Sequence, residues 1–210
     1  MIDSPLIFWP KVPSALLDAA ISERTLAEAL IDHGLQKEKL MISFCGCSST
    51  LERIKVASLL ENVSDNIEIC GKSNIIFIAV RPESIEGLKK LSFPKSAIVV
   101  SCMAGVSKAS LKKALGIDAF RIMPSGPDTI EDRKGIAAVY QHNDILINIL
   151  SCIGLEFYEL SDEESMHAFN AGVCPPATLL VANAGDSFLS ALRRGIARSK
   201  EISAWGESHL

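Results

Sequence analysis

No two of the thirteen glycines in this chain of 210 residues are separated by a single residue. A Gly-x-Gly turn, the usual cradle for a dinucleotide pyrophosphate, is therefore missing. Long apolar runs are missing too, since none approaches the roughly 18 residues of a membrane span. The N-terminus has neither a basic stretch leading into an apolar one nor an Arg- and Ser-rich leader. A soluble, cytoplasmic protein with no membrane partner is expected. There is no excess of positive charge: 21 Lys and Arg stand against 25 Asp and Glu, a net charge of −4. That excludes a nucleic-acid binder relying on phosphate neutralisation. Zinc spacing is absent as well, because Cys45-Gly-Cys47 has one intervening residue and the four histidines are scattered. The six cysteines mostly lie in apolar runs, where a free thiol acts as a small hydrophobe. Neither a metal site nor a disulfide framework is expected. No internal repeat or low-complexity segment occurs.

What the chain does have is apolar mass, 48% of its residues, and an alternation of strand and helix signals. Residues 39–45, "KLMISFC", read as a strand, and 50–61 as a helix. "IIFIAV" (75–80) is continuously apolar, the pattern of a strand buried on both faces. Pro82 ends it, and a short helix over 83–91 should follow. "SAIVVSCMA" (96–104) is a second such strand. Ser107 is a good N-cap for "KASLKKAL" and Gly116 a good stop. "AFRIMP" and "GIAAVY" (135–140) are further strands. A helix over 144–152 and a strand "LEFYEL" (155–160) complete the series. Alternation of this kind predicts an α/β fold: a Rossmann-like, mostly parallel sheet with helices on both faces.

After Ser161 the pattern becomes helical only. Ser161 with Glu164 fits a capping box. Pro175 and Pro176 then open a largely apolar helix, "ATLLVANAGDSFLSALRRGIARS". The expected division is a Rossmann-like dinucleotide-binding domain over 1–160 and a short helical dimerisation or substrate segment over 161–210.

In open α/β sheets, ligands bind at the carboxyl ends of the strands. Those ends carry "AVRP" (79–82), "MAGVS" (103–107) and "MPSGP" (123–127). Small residues there let backbone N–H groups approach a ligand. Short loops of this composition are also ordinary in α/β proteins, and only the three together point to a ligand.

"IIFIAVRPESI", "IVVSCMAGVSKASL", "RIMPSGP" and "DEESMHAFNAGVCPPATLLVANA" occur in an order and spacing that resembles pyrroline-5-carboxylate reductase. That family makes L-proline, in proline biosynthesis, by hydride transfer from NAD(P)H to a cyclic imine. Its members typically show AVKP, a strand ending AAG, then MPNTP, and later SGSGPAY at a helix start. The resemblance covers roughly residues 25–200. It implies an oxidoreductase with NADP or NAD as cofactor and a small-molecule substrate. It also implies a homodimer built through the final helices. It further implies cofactor contacts from Ala79, Val80, Arg81, Pro82, Ala104 and Gly105. Ser125 would lie near the nicotinamide, and Ser48 and Ser49 near the adenosine ribose or its phosphate. Gly172, Cys174 and Thr178 would belong to the loop beside the substrate. No catalytic acid is assigned, although Cys174 and Ser125 are polar groups at the right places.

The departures are specific. By alignment of "LAEAL" with the family's AEAL helix, Ser22 and Arg24 stand where fingerprint glycines should be, and Glu23 between them adds negative charge. Residues 13–33 read as one continuous helix, with "LIFW" (6–9) as a displaced first strand. MPNTP reads "MPSGP", and SGSGPAY reads "GVCPPAT". The family's further C-terminal helices, with the loop that holds the substrate carboxylate, have no counterpart before Leu210. Three readings follow: an active imine reductase, a degenerate relative that serves as a binding or regulatory module, and an incomplete chain of the reductase.

Overall fold

In the computed structural model, which describes residues 14–17, 21–43, 48–80, 82–125, 135–166 and 169, the run Ile75–Ile78 is a strand with all four side chains buried. Nothing polar interrupts it, so both faces must be covered. Among the described residues the sheet has seven strands: β1 (Ser14–Leu17), β2 (Leu40–Ile42), β3 (Ile75–Ile78), β4 (Ile98–Ser101), β5 (Phe120–Pro124), β6 (Ile136–Tyr140) and β7 (Glu156–Leu160). Their order is β2-β1-β3-β4-β5-β6-β7. All neighbours are parallel except β5 and β6. This is a Rossmann-like α/β sheet.

The helices are α1 (Ile21–Asp32), α2 (Ser48–Val56), α3 (Asn66–Lys72), α4 (Ile85–Leu88), α5 (Lys108–Leu115) and α6 (Asp144–Cys152). Ile75 and Phe77 face Leu26 and Leu30 of α1, Ile54 of α2 and Leu150 of α6 within one core cluster. Ile76 and Ile78 share the other cluster with Ile69 of α3, Leu88 of α4 and Leu111 of α5. Connection handedness explains this division. A right-handed crossover leading from β1 to β2 puts α1 on one face. The same hand in the opposite lateral direction, through β3, β4 and β5, puts α4 and α5 on the other. Because β6 runs antiparallel to β5, its crossover returns α6 to the face of α1. A smaller cluster joins Met123, Ile136 and Ala138 to Met166 and Phe169, which follow the last strand.

Local signals fix the helix ends. Ser107 accepts from the Ser110 N–H, and Gly116 closes α5 at φ 72°, as the sequence predicts. Asp65 caps α3 and Asn143 caps α6 in the same way. Beyond Leu160 the capping group is Asp162 rather than Ser161. Its carboxylate accepts from the Ser165 N–H at 2.8 Å, and that bond holds its pKa below the ordinary carboxylate range.

Several expectations are corrected. Residues 13–33 are not one helix, because Ser14–Leu17 is a strand paired in parallel with both β2 and β3. Four residues are too few to reveal a period, so tertiary pairing decides the conformation. The "LIFW" run at 6–9 lies outside the described residues. The helix expected over 50–61 stops at Val56, since Ser58 takes a left-handed conformation at φ 56°. The helix expected over 83–91 is a single 3-10 turn, Pro82–Ser84, followed by the four residues of α4. The strands expected over 39–45 and 96–104 are shorter, and α3 had no sequence signal strong enough to be read. The apolar helix expected after Pro176 and its dimerisation role lie outside the described residues. Among those residues, no helix is long and apolar enough to cross a membrane.

One ionisable group ties β6, α6 and β7 together. His142 Nε2 lies 2.8 Å from Asp144 Oδ1, and Nδ1 lies 2.9 Å from Glu159 Oε1. The Asp144 hydrogen bond, then that of Glu159, raises the imidazole pKa above its usual 6.5. A raised folded-state value means that the contribution is complete below the unfolded pKa. It is lost as pH rises through the folded one. Chemical denaturation followed from pH 6 upward should therefore show a small fall in stability in wild type that His142→Gln abolishes. An identical profile in the variant would contradict the assignment. The group is exposed, so the effect should shrink in high salt.

Candidate functional site at the carboxyl ends of the strands

The strand register aligns the carboxyl ends. Leu17 pairs with Ile78, Ile78 with Ser101, and Ser101 with Arg121, so four strands come abreast at one level. The chain leaves β1 for β2 on one side and returns to β3 on the other. The crevice of a doubly wound sheet lies above that reversal, between β1 and β3.

Around this edge stand most of the residues the sequence singled out. Ser48 and Ser49 open α2, the helix after β2. Ala79 is half-buried and Val80 buried just past β3, while Pro82 is exposed at the start of the 3-10 turn. Arg81 lies outside the described residues. Ala104 and Gly105 form the exposed tip after β4. Gly105 has φ 73°, which favours glycine, and a Cβ built there would meet nothing within 4 Å. The loop after β4 thus presents a small-residue tip with open space beside Gly105.

Ser125 is different. It lies four residues beyond Arg121, about 13 Å further along the strand direction. There β5 outruns β4 and is held by antiparallel β6. Its N–H donates to the Ile136 carbonyl at 2.7 Å, and its hydroxyl accepts from the Ile136 N–H at 2.9 Å. Only 3% of Ser125 is exposed. The hydroxyl replaces a strand ladder acceptor where the chain departs. Gly172, Cys174 and Thr178 lie outside the described residues.

The sequence linking β1 to α1 lacks the residues of the usual pyrophosphate cradle. Between β1 and α1 stand only Asp18, Ala19 and Ala20, with no glycine and one negative charge. Ser22 and Arg24, expected in that turn, belong instead to the first turn of α1.

The sequence reading overlooked a buried ion pair behind this edge. Arg121 is 1% exposed, and its Nη1 lies 2.9 Å from Glu163 Oε1. Its Nη2 donates to the Met103 carbonyl at 3.1 Å. The same Glu163 oxygen accepts from the Lys108 N–H at 2.6 Å, at the start of α5. An arginine set between Phe120 and Ile122 in a buried strand was the available signal. A guanidinium there must find an acid, and "DEE" at 162–164 supplies one.

Elsewhere, a cavity of about 470 Å³ lies beside the amino end of β2. Its lining includes Lys37, Lys72, Glu38 and Glu61, so its charges balance. Among the described residues no group of three or more His, Cys, Asp or Glu is arranged to hold a metal.

No protein-family model matches the chain. A curated relative does: pyrroline-5-carboxylate reductase 3 of Danio rerio is 32% identical over 130 residues. Over this stretch the chain is similar to a pyrroline-5-carboxylate reductase. The match covers 60% of this chain and 44% of the relative, so the chain spans under half of that relative's length. Solved structures agree on the fold. A pyrroline-5-carboxylate reductase from Coxiella burnetii aligns with a TM-score of 0.67 at 16% identity, over 95% of this chain and 81% of that one. The Plasmodium falciparum pyrroline carboxylate reductase with NADP bound gives 0.62 at 16%, over 91% and 77%. A prephenate dehydrogenase from A. aeolicus, in complex with hydroxyphenyl propionate and NAD+, gives 0.60 at 10%, over 95% and 88%. At these identities the structures establish architecture.

The Ser125 geometry yields a test. Ser125→Ala leaves the buried Ile136 N–H without its side-chain acceptor. It should lower the unfolding free energy by about 1–3 kcal/mol in a denaturant titration. A change below about 0.5 kcal/mol, the level of an ordinary surface substitution, would show that the hydroxyl is not the strand's closing acceptor.

Proposed function

We propose that this chain is an oxidoreductase of the imine-reducing type, using NADP or NAD to reduce pyrroline-5-carboxylate to L-proline. The observation that carries the reading is the row of strand ends at one level, with half-buried Ala79 after β3 and the exposed Ala104-Gly105 tip after β4 beside the β1/β3 reversal. The curated relative supports the substrate class. When bound, the nicotinamide supplies the hydride, and the protein's task is positioning rather than nucleophilic attack. Ala79, Val80, Arg81, Pro82, Ala104 and Gly105 are the residues proposed to meet the cofactor. Ser48 and Ser49 would lie toward its ribose end. The substrate would sit with Gly172, Cys174 and Thr178, and a second copy of the chain would join through the final helices.

A second reading has its own support. The sequence Asp18-Ala19-Ala20 lacks the glycines that let backbone N–H groups reach a pyrophosphate, and it adds a carboxylate. A relative that keeps the sheet but binds nucleotide weakly would serve as a binding or regulatory module. Two measurements separate the readings. The reductase reading expects NADPH or NADH oxidation dependent on pyrroline-5-carboxylate, together with micromolar or tighter cofactor binding by calorimetry. Absence of turnover at high protein concentration, with no detectable heat of binding, favours the module.

A further inference from the structure

We infer that Glu163 and Arg121 are positioning residues that fix the loop between β4 and α5 from across the chain. The inference rests on the reading of that loop as part of a nicotinamide-dinucleotide site. Three bonds hold the loop at its base. The Met103 N–H donates to Ser101 Oγ at 3.3 Å, the Met103 carbonyl accepts from Arg121 Nη2, and the Lys108 N–H donates to Glu163 Oε1. Between these anchors the tip, Ala104-Gly105, stands exposed. A short tip tied on both sides has little freedom, so its backbone is preorganised for whatever lies above it.

The anchor is not local. Glu163 lies 55 residues from Lys108 and 42 from Arg121 in sequence. It follows β7, just before Met166 and Phe169 pack against Met123 and Ile136. The segment that leaves the sheet therefore sets the shape of the β4 loop. The carboxylate also fills the amino end of α5, where backbone N–H groups would otherwise attract a ligand anion. A phosphate is consequently not expected at that helix. The ligand-facing surface of the loop is its small-residue tip.

Hydrogen exchange by NMR on the full chain, with calorimetry using NADPH and NADH, tests this. Glu163→Gln keeps the size of the side chain and removes its charge. It should speed exchange of the Lys108 amide by about tenfold or more, the scale of one charge-assisted hydrogen bond. The amides of Ile69 and Leu150, in distant helices, should be unchanged. Where wild type binds cofactor, the affinity of Glu163→Gln should fall by about tenfold, and Arg121→Lys should show the same pattern. Unchanged exchange at Lys108, or an equal rise at Ile69 and Leu150, would overturn the inference. So would full affinity in Glu163→Gln when wild type binds. If wild type binds neither nucleotide yet Lys108 alone is freed, the nucleotide reading fails and the anchoring of the loop stands.

Discussion

The burial of β3 on both faces is the constraint on which the rest of the structure depends. Ile75 and Phe77 demand cover on one side, and Ile76 and Ile78 on the other. Once β1 pairs with one edge of this strand and β4 with the other, handed crossovers dictate where each helix lies. The reversal of direction at β1 follows, and with it the crevice at the carboxyl ends. The candidate site is thus a consequence of how the core is closed. Its loops project from strands whose registers the core has already fixed.

The antiparallel step between β5 and β6 gives the site its asymmetry. It lets β5 continue past the level at which β3 and β4 end, and Ser125 closes that extension through Ile136. It also sends the chain through α6 and β7 to Glu163, which returns to the back of the β4 loop. One charge-neutral cluster then joins three separate parts of the sequence. A buried guanidinium is costly unless its donors are met, and here Nη1 and Nη2 are met by groups the site also uses while Nε is left without a partner.

The sequence made much of this legible. Short, β-branched apolar runs such as "IIFI" and "IVVS" are the pattern of strands covered on both faces, and Ser107 with Gly116 bracketed α5 correctly. The order of strand-end motifs pointed to the family that the curated relative also indicates. What stayed hidden has physical reasons. Ser14–Leu17 is too short to show a period and is a strand because β2 and β3 pair with it. Aligning "LAEAL" with the family's helix put Ser22 and Arg24 in the first turn, whereas both lie in α1. The Arg121–Glu163 contact spans 42 residues, so spacing could not reveal it. The strained turn at Ser58 depends on one backbone angle that a serine rarely advertises.

The central claim is that the crevice edge formed by the β3 and β4 loops receives a nicotinamide dinucleotide despite the altered first turn. Amide chemical-shift mapping of the isotopically labelled chain during titration with NADPH tests it most directly. The account predicts saturable shifts at Ala79, Val80, Ala104 and Gly105, with Gly71 and Lys72, which precede the amino end of β3, unmoved. Shifts confined to the Lys37–Lys72 cavity, or none at millimolar NADPH, would contradict it.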